Sequence, residues 1–384
     1  MQKQAPTPKT PAAELEFIPL TPERYADWNA FCLKSPDAWF WHTTQWLEYT
    51  LNYRPELQPQ SESFLCLQRG AIAAICPLIV ETHATGTGVA KEFSYGGDTV
   101  PSPALAEGLS EKSRKALSQA AFAYIDARAA SLHVKRASFR ILPLASTFWS
   151  YQFPQANPLA RLGFNDISLA TQVLNLVGDE QDLLRDMRKG HRADIARAAK
   201  LMQATVLDEH TITQERFDNY RLLHCKAAGR VTRPLATFQM MLEWIRSGHA
   251  ILCAATLDDK DVGFALVSVY KDGAYYSSSC EDPEFNHLPI GHLLQWRVIQ
   301  WLKEHGIRRY EIGIQPFGNQ VHFTPSEKEL KIGFFKRGFG GQTVAFWRGE
   351  KFYNREYCQQ VLHERGQKYA QTAVPAKVNQ AQVT

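Results

Sequence analysis

One order of strands and helices occurs twice along this sequence. In the first half, Ser63-Phe-Leu-Cys-Leu-Gln and Ala71-Ile-Ala-Ala-Ile-Cys-Pro-Leu-Ile-Val are apolar β-like runs that meet at Arg69-Gly70, which predicts a hairpin. A third strand follows near Lys91-Glu-Phe-Ser-Tyr-Gly-Gly. Next, Glu111 to Ala130 sets Leu117, Ala121, Tyr124 and Ile125 at helical spacing, and Lys135-Arg-Ala-Ser-Phe-Arg-Ile-Leu alternates as a strand. The second half repeats the order with Ala250-Ile-Leu-Cys-Ala-Ala-Thr, Val262-Gly-Phe-Ala-Leu-Val-Ser-Val-Tyr, Ala274-Tyr-Tyr-Ser-Ser-Ser, a helix from about Pro289 to His305, and Arg308-Arg-Tyr-Glu-Ile-Gly-Ile. Matching elements lie roughly 170 to 190 residues apart without residue-level identity, so the architecture repeats and the sequence does not. The fold class this implies is α/β (α+β): two tandem units, 14–170 and 171–360, each a mixed twisted sheet flanked by helices. Residues 1–13, with Pro6, Pro8 and Pro11, and residues 361–384 read as disordered tails.

Composition narrows the function classes. The chain has 384 residues, 45% apolar and 21% charged, which describes a globular protein with a large core. Its 43 basic and 39 acidic side chains leave a net charge of +4, too mild for the whole molecule to bind a polyanion, and specific DNA readout is not expected. The seven cysteines have neither C-x-x-C nor Cys/His ligand spacing, so no metal site or disulfide framework is expected. The N-terminal residues lack the apolar run of a signal peptide, and no segment reaches about 18 uncharged apolar residues; a cytoplasmic protein without a transmembrane segment is the expectation.

Charge is concentrated locally. Asp179 to about Gln203 reads as one helix with Leu184, Met187, His191, Ile195 and Ala198 on one side and Arg185, Arg188, Lys189, Arg192 and Lys200 beside them. From Arg185 to Lys200 six basic residues face two acidic ones, a local +4. His191 on the apolar stripe reads as a hydrogen-bonded core histidine. Lys331-Ile-Gly-Phe-Phe-Lys-Arg-Gly-Phe-Gly-Gly reads either as a loop bringing backbone N–H groups, Lys336 and Arg337 to a phosphate or carboxylate, or as a tight turn needing glycines. The helix opening at Pro289-Ile-Gly291 offers an anion site at its N-terminus or simply a crossover cap. Glu311 alternates with Tyr310 and Ile312 at a strand end beside Gly313, which suits either a general base or an ion pair with Arg308 or Arg309.

Four segments carry a family likeness: Trp41-His-Thr-Thr-Gln-Trp-Leu-Glu-Tyr, Leu183-Leu-Arg-Asp-Met-Arg-Lys-Gly-His-Arg-Ala-Asp-Ile-Ala-Arg-Ala, the Gly291 helix with Arg309-Tyr-Glu-Ile-Gly, and Lys331 to Gly341. Together they resemble the Fem-like branch of the GNAT acyltransferase superfamily, which includes peptidoglycan bridge-forming enzymes. The resemblance implies two GNAT-like domains and transfer of an acyl group to an amine of a small-molecule or lipid-linked cell-envelope precursor. It places Lys336 and Arg337 near donor or substrate phosphates, Arg188, Lys189 and Arg192 along the cleft, and Glu311 at the central strand end; the transfer chemistry itself makes Glu311 or a bound water the candidate catalytic base and strand-edge N–H groups near Ser278 the candidate oxyanion donors. It implies acetyl-CoA or another acyl-CoA as donor, with aminoacyl-tRNA as the alternative. A non-catalytic module binding RNA or an acidic partner is a further reading. All of these place the cations of the 180s helix and the 331–341 stretch along one groove between the two halves.

Overall fold

The computed structural model describes residues 15–86, 88–150 and 156–373; the segments 1–13 and 374–384, read as tails, lie outside them. The second half is built on a seven-stranded sheet. Its order is Gln203–Leu207, Ala250–Leu257, Lys260–Tyr270, Gly273–Glu281, Arg309–Ile314, Leu169–Asn175 and Gln342–Phe346. Neighbours are antiparallel except the central pair, Gly273–Glu281 and Arg309–Ile314, which run parallel because the helix Ile290–Glu304 crosses over between them. That helix buries Leu294, Val298, Ile299 and Leu302 against the sheet, the apolar stripe expected of a crossover helix.

The first half carries a second seven-stranded sheet and a four-stranded one. Phe64–Gln68 and Ala71–Cys76 form the predicted hairpin, with Arg69 (φ 54°) and Gly70 (φ 77°) in the left-handed region that a two-residue hairpin loop needs. The apolar run Ala71 to Val80 is not one strand. It divides at Pro77, which has no N–H to give a ladder, and Ile79–Thr85 enters the other sheet.

Two boundaries differ from the sequence reading. Arg348–Phe352, placed in the second unit, pairs with Arg136–Arg140 in the sheet of the first half. The helix Arg355–Ala373 follows it there, so the tail expected from residue 361 is helical as far as 373. The cause is a buried ionic cluster. Glu350 accepts hydrogen bonds from Arg365 (2.5 and 2.9 Å) and from Arg136 (3.4 Å), and Arg136 pairs with buried Glu92 at 2.7 Å. The chain therefore returns to its first half after completing the second.

The halves are joined by the aromatic cluster that begins at Trp39. Phe40 packs edge-on to Trp244 (5.3 Å between centroids), the Trp39 indole donates to the Tyr270 carbonyl at 3.1 Å, and the Lys271 ammonium donates to the Ser35 and Ala38 carbonyls at 2.7 and 2.8 Å. Thr43 caps the helix Thr44–Tyr53 by accepting from the Trp46 N–H.

Glu350 is buried between two guanidinium groups. Glu350→Ala is expected to lower the unfolding free energy by about 3 kcal/mol, the cost of orphaning a buried charge partner. Chemical denaturation measures this; a loss under about 1 kcal/mol would mean that the cluster does not hold the returning segment.

Candidate functional site

The parallel pair at the centre of the second sheet stays paired for only three rungs, Gly273 with Arg309, Ala274 with Tyr310 and Tyr275 with Glu311. Beyond that rung both strands bulge: Ser277 is the extra residue opposite Leu266 and Val267, and Ile312 the extra residue opposite Gln172 and Val173. The strands part, and Tyr276 to Glu281 keep a partner on one side only. A hollow of about 920 Å³ lies along this free edge, lined by Tyr276 to Ser279 and Glu281 on one wall and by Lys328, Lys331, Phe335 and Lys336 of the helix Glu327–Arg337 on the other. Such a volume suits a substrate-sized ligand.

Glu311 sits where the strands fork, only 1% exposed. One carboxylate oxygen accepts from the Thr171 hydroxyl at 2.7 Å, and Oε2 has no hydrogen-bond partner among the described residues. Burial raises the Glu311 pKa to about 7, opposed by the Thr171 hydrogen bond and the charges of Arg140 and Lys336. Neither expected ion pair forms: Arg309 pairs with Asp272 at 3.3 Å and lies over Trp149. Two residues on, Gly313 (φ 96°) leaves open the space above the strand end. A side chain there would meet the Lys336 ammonium at 2.8 Å and come within 3.7 Å of the Tyr275 hydroxyl. Burial lowers the Lys336 pKa to about 8, with Glu311 the charge opposing the shift. Burial, then the Glu311 charge, pushes the Tyr275 phenol up. The fork thus gathers a carboxyl and an ammonium that both titrate near neutrality, with a phenol beside them.

The other candidate residues fall elsewhere. The helix expected from 179 to 203 breaks into Glu180–Asp186 and Lys189–Ala198, because Met187 and Arg188 are extended (ψ 147° and 139°) and the Arg188 N–H bonds to the Gly338 carbonyl at 2.9 Å. The Arg192 guanidinium caps the first of these helices, its Nη1 donating to the carbonyls of Leu184, Arg185 and Met187. Lys189 is exposed and does not line the hollow. Arg188 lies over the exposed ring of Phe334 (3.7 Å) and Arg337 over that of Phe317 (4.7 Å); the two arginines are near enough for the charge of Arg188 to add to the burial that lowers the Arg337 pKa, and Arg337 donates to the Gln315 side chain at 3.0 Å, but neither lines the hollow, whose walls come from the second half alone.

The stretch from Lys331 is not a phosphate-cradling loop. It is the end of the helix Glu327–Arg337, followed by glycines that packing demands. A side chain on Gly338 would overlap His191 (2.0 Å), and Gly341, at φ 78°, gives its N–H to Asp186 at 2.6 Å. His191 is a core residue as expected, its Nε2 bonded to the Phe335 carbonyl at 2.9 Å and its ring against His292. The Ser278 hydroxyl accepts from Tyr220 at 2.9 Å, leaving the free strand edge, not the side chain, facing the hollow.

The Gly291 anion site is also corrected. Pro289, Ile290 and Gly291 are buried, and the Glu281 carboxylate lies 2.6 Å from where a Gly291 side chain would begin. An acid is already seated at this helix N-terminus, its pKa raised by burial. Sequence reasoning missed Tyr275 and Arg140; the end of an alternating strand, where Arg140 lies, was the available signal.

Residues 183–323 match the family described as acetyltransferase (GNAT) domain. No curated protein sequence matches the chain. Among solved structures, FemX aligns over 90% of this chain and 100% of its own at 13% identity, with a TM-score of 0.62. The C-terminal domain of a putative lysylphosphatidylglycerol synthetase from Agrobacterium fabrum aligns over 91% and 96% at 13% identity and a TM-score of 0.54. The L-PGS structure from Bacillus licheniformis aligns over 86% and 97% at 12% identity and a TM-score of 0.50. The matched segment is a GNAT acetyltransferase domain, and it lies on the sheet that carries the fork. The chain has the Fem-like fold that FemX displays.

The Thr171 hydrogen bond favours the ionised form of Glu311, so its removal has a definite sign. Thr171→Val is expected to move the Glu311 titration upward from about 7, read by carboxyl-carbon NMR. An unchanged or lower midpoint would show that Thr171 does not hold the charged form.

Proposed function

We propose that this chain transfers an acyl group to an amine of a cell-envelope sugar or peptide precursor, with Glu311 as general base and Lys336 as the stabiliser of developing negative charge. The observation that carries this reading is the position of both groups at the fork, one rung from the free strand edge and beside the large hollow.

The chemistry needs a base, a cation and positioning. The acceptor nitrogen attacks the acyl carbonyl carbon, forming the C–N bond while the carbonyl π electrons move to oxygen. Glu311 takes the proton that the nitrogen sheds; its unpartnered Oε2 is the free acceptor for it. The Lys336 ammonium and the N–H groups of the free edge near Ser278 face the oxyanion. Collapse of the intermediate breaks the bond to the donor's leaving group, which leaves with a proton.

The donor reading turns on Glu281. A carboxylate at the crossover helix N-terminus disfavours an acyl-CoA there, whereas an aminoacyl-tRNA ester needs no pyrophosphate at that point, and Lys328 and Lys331, against Glu327 alone, leave the helix side of the hollow with an excess of positive charge. On this reading the order of donors expected from the sequence is reversed. In a thermal-shift comparison aminoacyl-tRNA raises the melting temperature and acetyl-CoA does not. Stabilisation by acetyl-CoA, with its consumption, would reverse the assignment.

The base and the cation set a pH dependence. Transfer requires Glu311 ionised and Lys336 protonated, so kcat/KM rises as pH passes about 7 and falls as it passes about 8. Glu311→Gln is expected to cost about 10²- to 10⁴-fold and to remove the acid limb. A variant retaining wild-type rate with both limbs intact would refute the role of Glu311.

A further inference from the structure

Beside the fork, where Arg140 lies near Tyr275 and Glu311, the sheet of the first half holds buried donors that the transfer chemistry does not use. Arg140 and Arg348 lie directly opposite each other on paired antiparallel strands of the first half's sheet, so both side chains project from the same face. Like charges in that position repel. One carboxylate, Asp98, serves both: it pairs with Arg140 at 3.6 Å and with Arg348 more closely. Arg140 is nine-tenths buried, and burial lowers its pKa, with the charge of Asp98 opposing and that of Arg348 adding to the shift. Its guanidinium lies 4.2 Å over the Trp41 ring, and Trp41 packs edge-on against Tyr275 at 4.8 Å.

Several donors on the segments around this pair are buried without a hydrogen-bond partner among the described residues: the Nε atoms of Arg140 and Arg348, the Trp41 indole N–H, and the hydroxyls of Thr99 and Ser102. Thr99 and Ser102 flank the segment Val100–Pro101, which pairs with Phe139 and Arg140. Orphaned donors such as the Nε atoms of two neighbouring arginines are costly unless something supplies acceptors. The Asp98 side chain, 45% exposed, gives the cluster a solvent-facing side, and Arg140 is close enough to Glu311 and Tyr275 to influence the ionisation of both.

We propose that Arg140 and Arg348 form an oxyanion-recognition site for the acceptor, so that the amine presented to Glu311 belongs to a molecule also carrying a carboxylate or a phosphate. The inference deepens the transferase reading and rests on it for the identity of the bound molecule as acceptor. The guanidinium forks supply paired N–H donors matched to either oxyanion, and Asp98 is the internal carboxylate that the ligand displaces or shares. The anion holds the acceptor by its far end, leaving its amine free to reach the unpartnered Oε2 of Glu311.

The test measures binding of matched amines by calorimetry, independently of transfer. Glucosamine 6-phosphate against glucosamine reads the phosphate source, and glycylglycine against glycinamide the carboxylate source. In the wild-type protein, at least one anionic amine is expected to bind about tenfold or more tightly than its uncharged counterpart. Arg348→Gln and Arg140→Gln reduce that ratio towards one, while Asp98→Asn, which removes the competing carboxylate, increases it. Arg348 is the more peripheral of the two, so its variant retains the readout if the Arg140 variant does not fold. Equal binding of charged and uncharged amines, or a ratio insensitive to both arginines and to Asp98, overturns the proposal. Anion-selective binding without transfer to any amine supports the site and instead refutes the transferase reading.

Discussion

The parting of two parallel strands after three rungs controls the rest of this molecule's chemistry. A β-ladder satisfies its own backbone groups, and a ligand competes for them only where the ladder stops. Here it stops at Tyr275 and Glu311, between bulges on the two strands, so backbone donors of the free edge, a buried carboxyl and the Lys336 ammonium come together without any loop to position them. Gly313 makes the arrangement possible, since any side chain there would occupy the place of the ammonium. Burial does the electrostatic part, raising the carboxyl and lowering the amine until both titrate near neutral pH.

The second constraint is the way the chain crosses between its halves. Strand Leu169–Asn175 brings Thr171 to Glu311, and strand Arg348–Phe352 brings Arg348 opposite Arg140. Only the second of these crosses between the halves: the second half sends Arg348 to the sheet of the first, and the first half sets Arg140 and Trp41 beside Tyr275. The aromatic cluster around Trp39 and Phe40 fixes the join, and Trp41 from that cluster lies between Arg140 and Tyr275. Rigid aromatic packing and buried ion pairs of this kind hold groups in place at little further cost in side-chain order.

Much of this was legible in the sequence. Alternation and helical spacing located the hairpin at Arg69-Gly70, the crossover helix and the strand bearing Glu311, because those signals reflect burial that each segment carries in its own pattern. What sequence could not supply were effects of partners distant along the chain. The 180s helix breaks because the Arg188 N–H is claimed by Gly338, the glycines near 340 serve His191 and Asp186 rather than a phosphate, and the last strand returns to the first sheet through Glu350. Local charge misled for the same reason. Arg192 looked like a clamp but satisfies helix carbonyls, and Gly291 looked open but lies beneath Glu281. The cations split by environment: Lys336 reaches the fork, while Arg188 and Arg337 lie over exposed phenylalanines.

The most direct examination of the fork as the transfer centre is a crystal structure with a non-hydrolysable bisubstrate analogue joining acyl carbonyl and acceptor nitrogen. The account places the carbonyl oxygen within hydrogen-bonding distance of the free edge or the Lys336 ammonium, and the nitrogen beside Oε2 of Glu311. An analogue bound with full occupancy elsewhere, and the fork left to solvent, would contradict it.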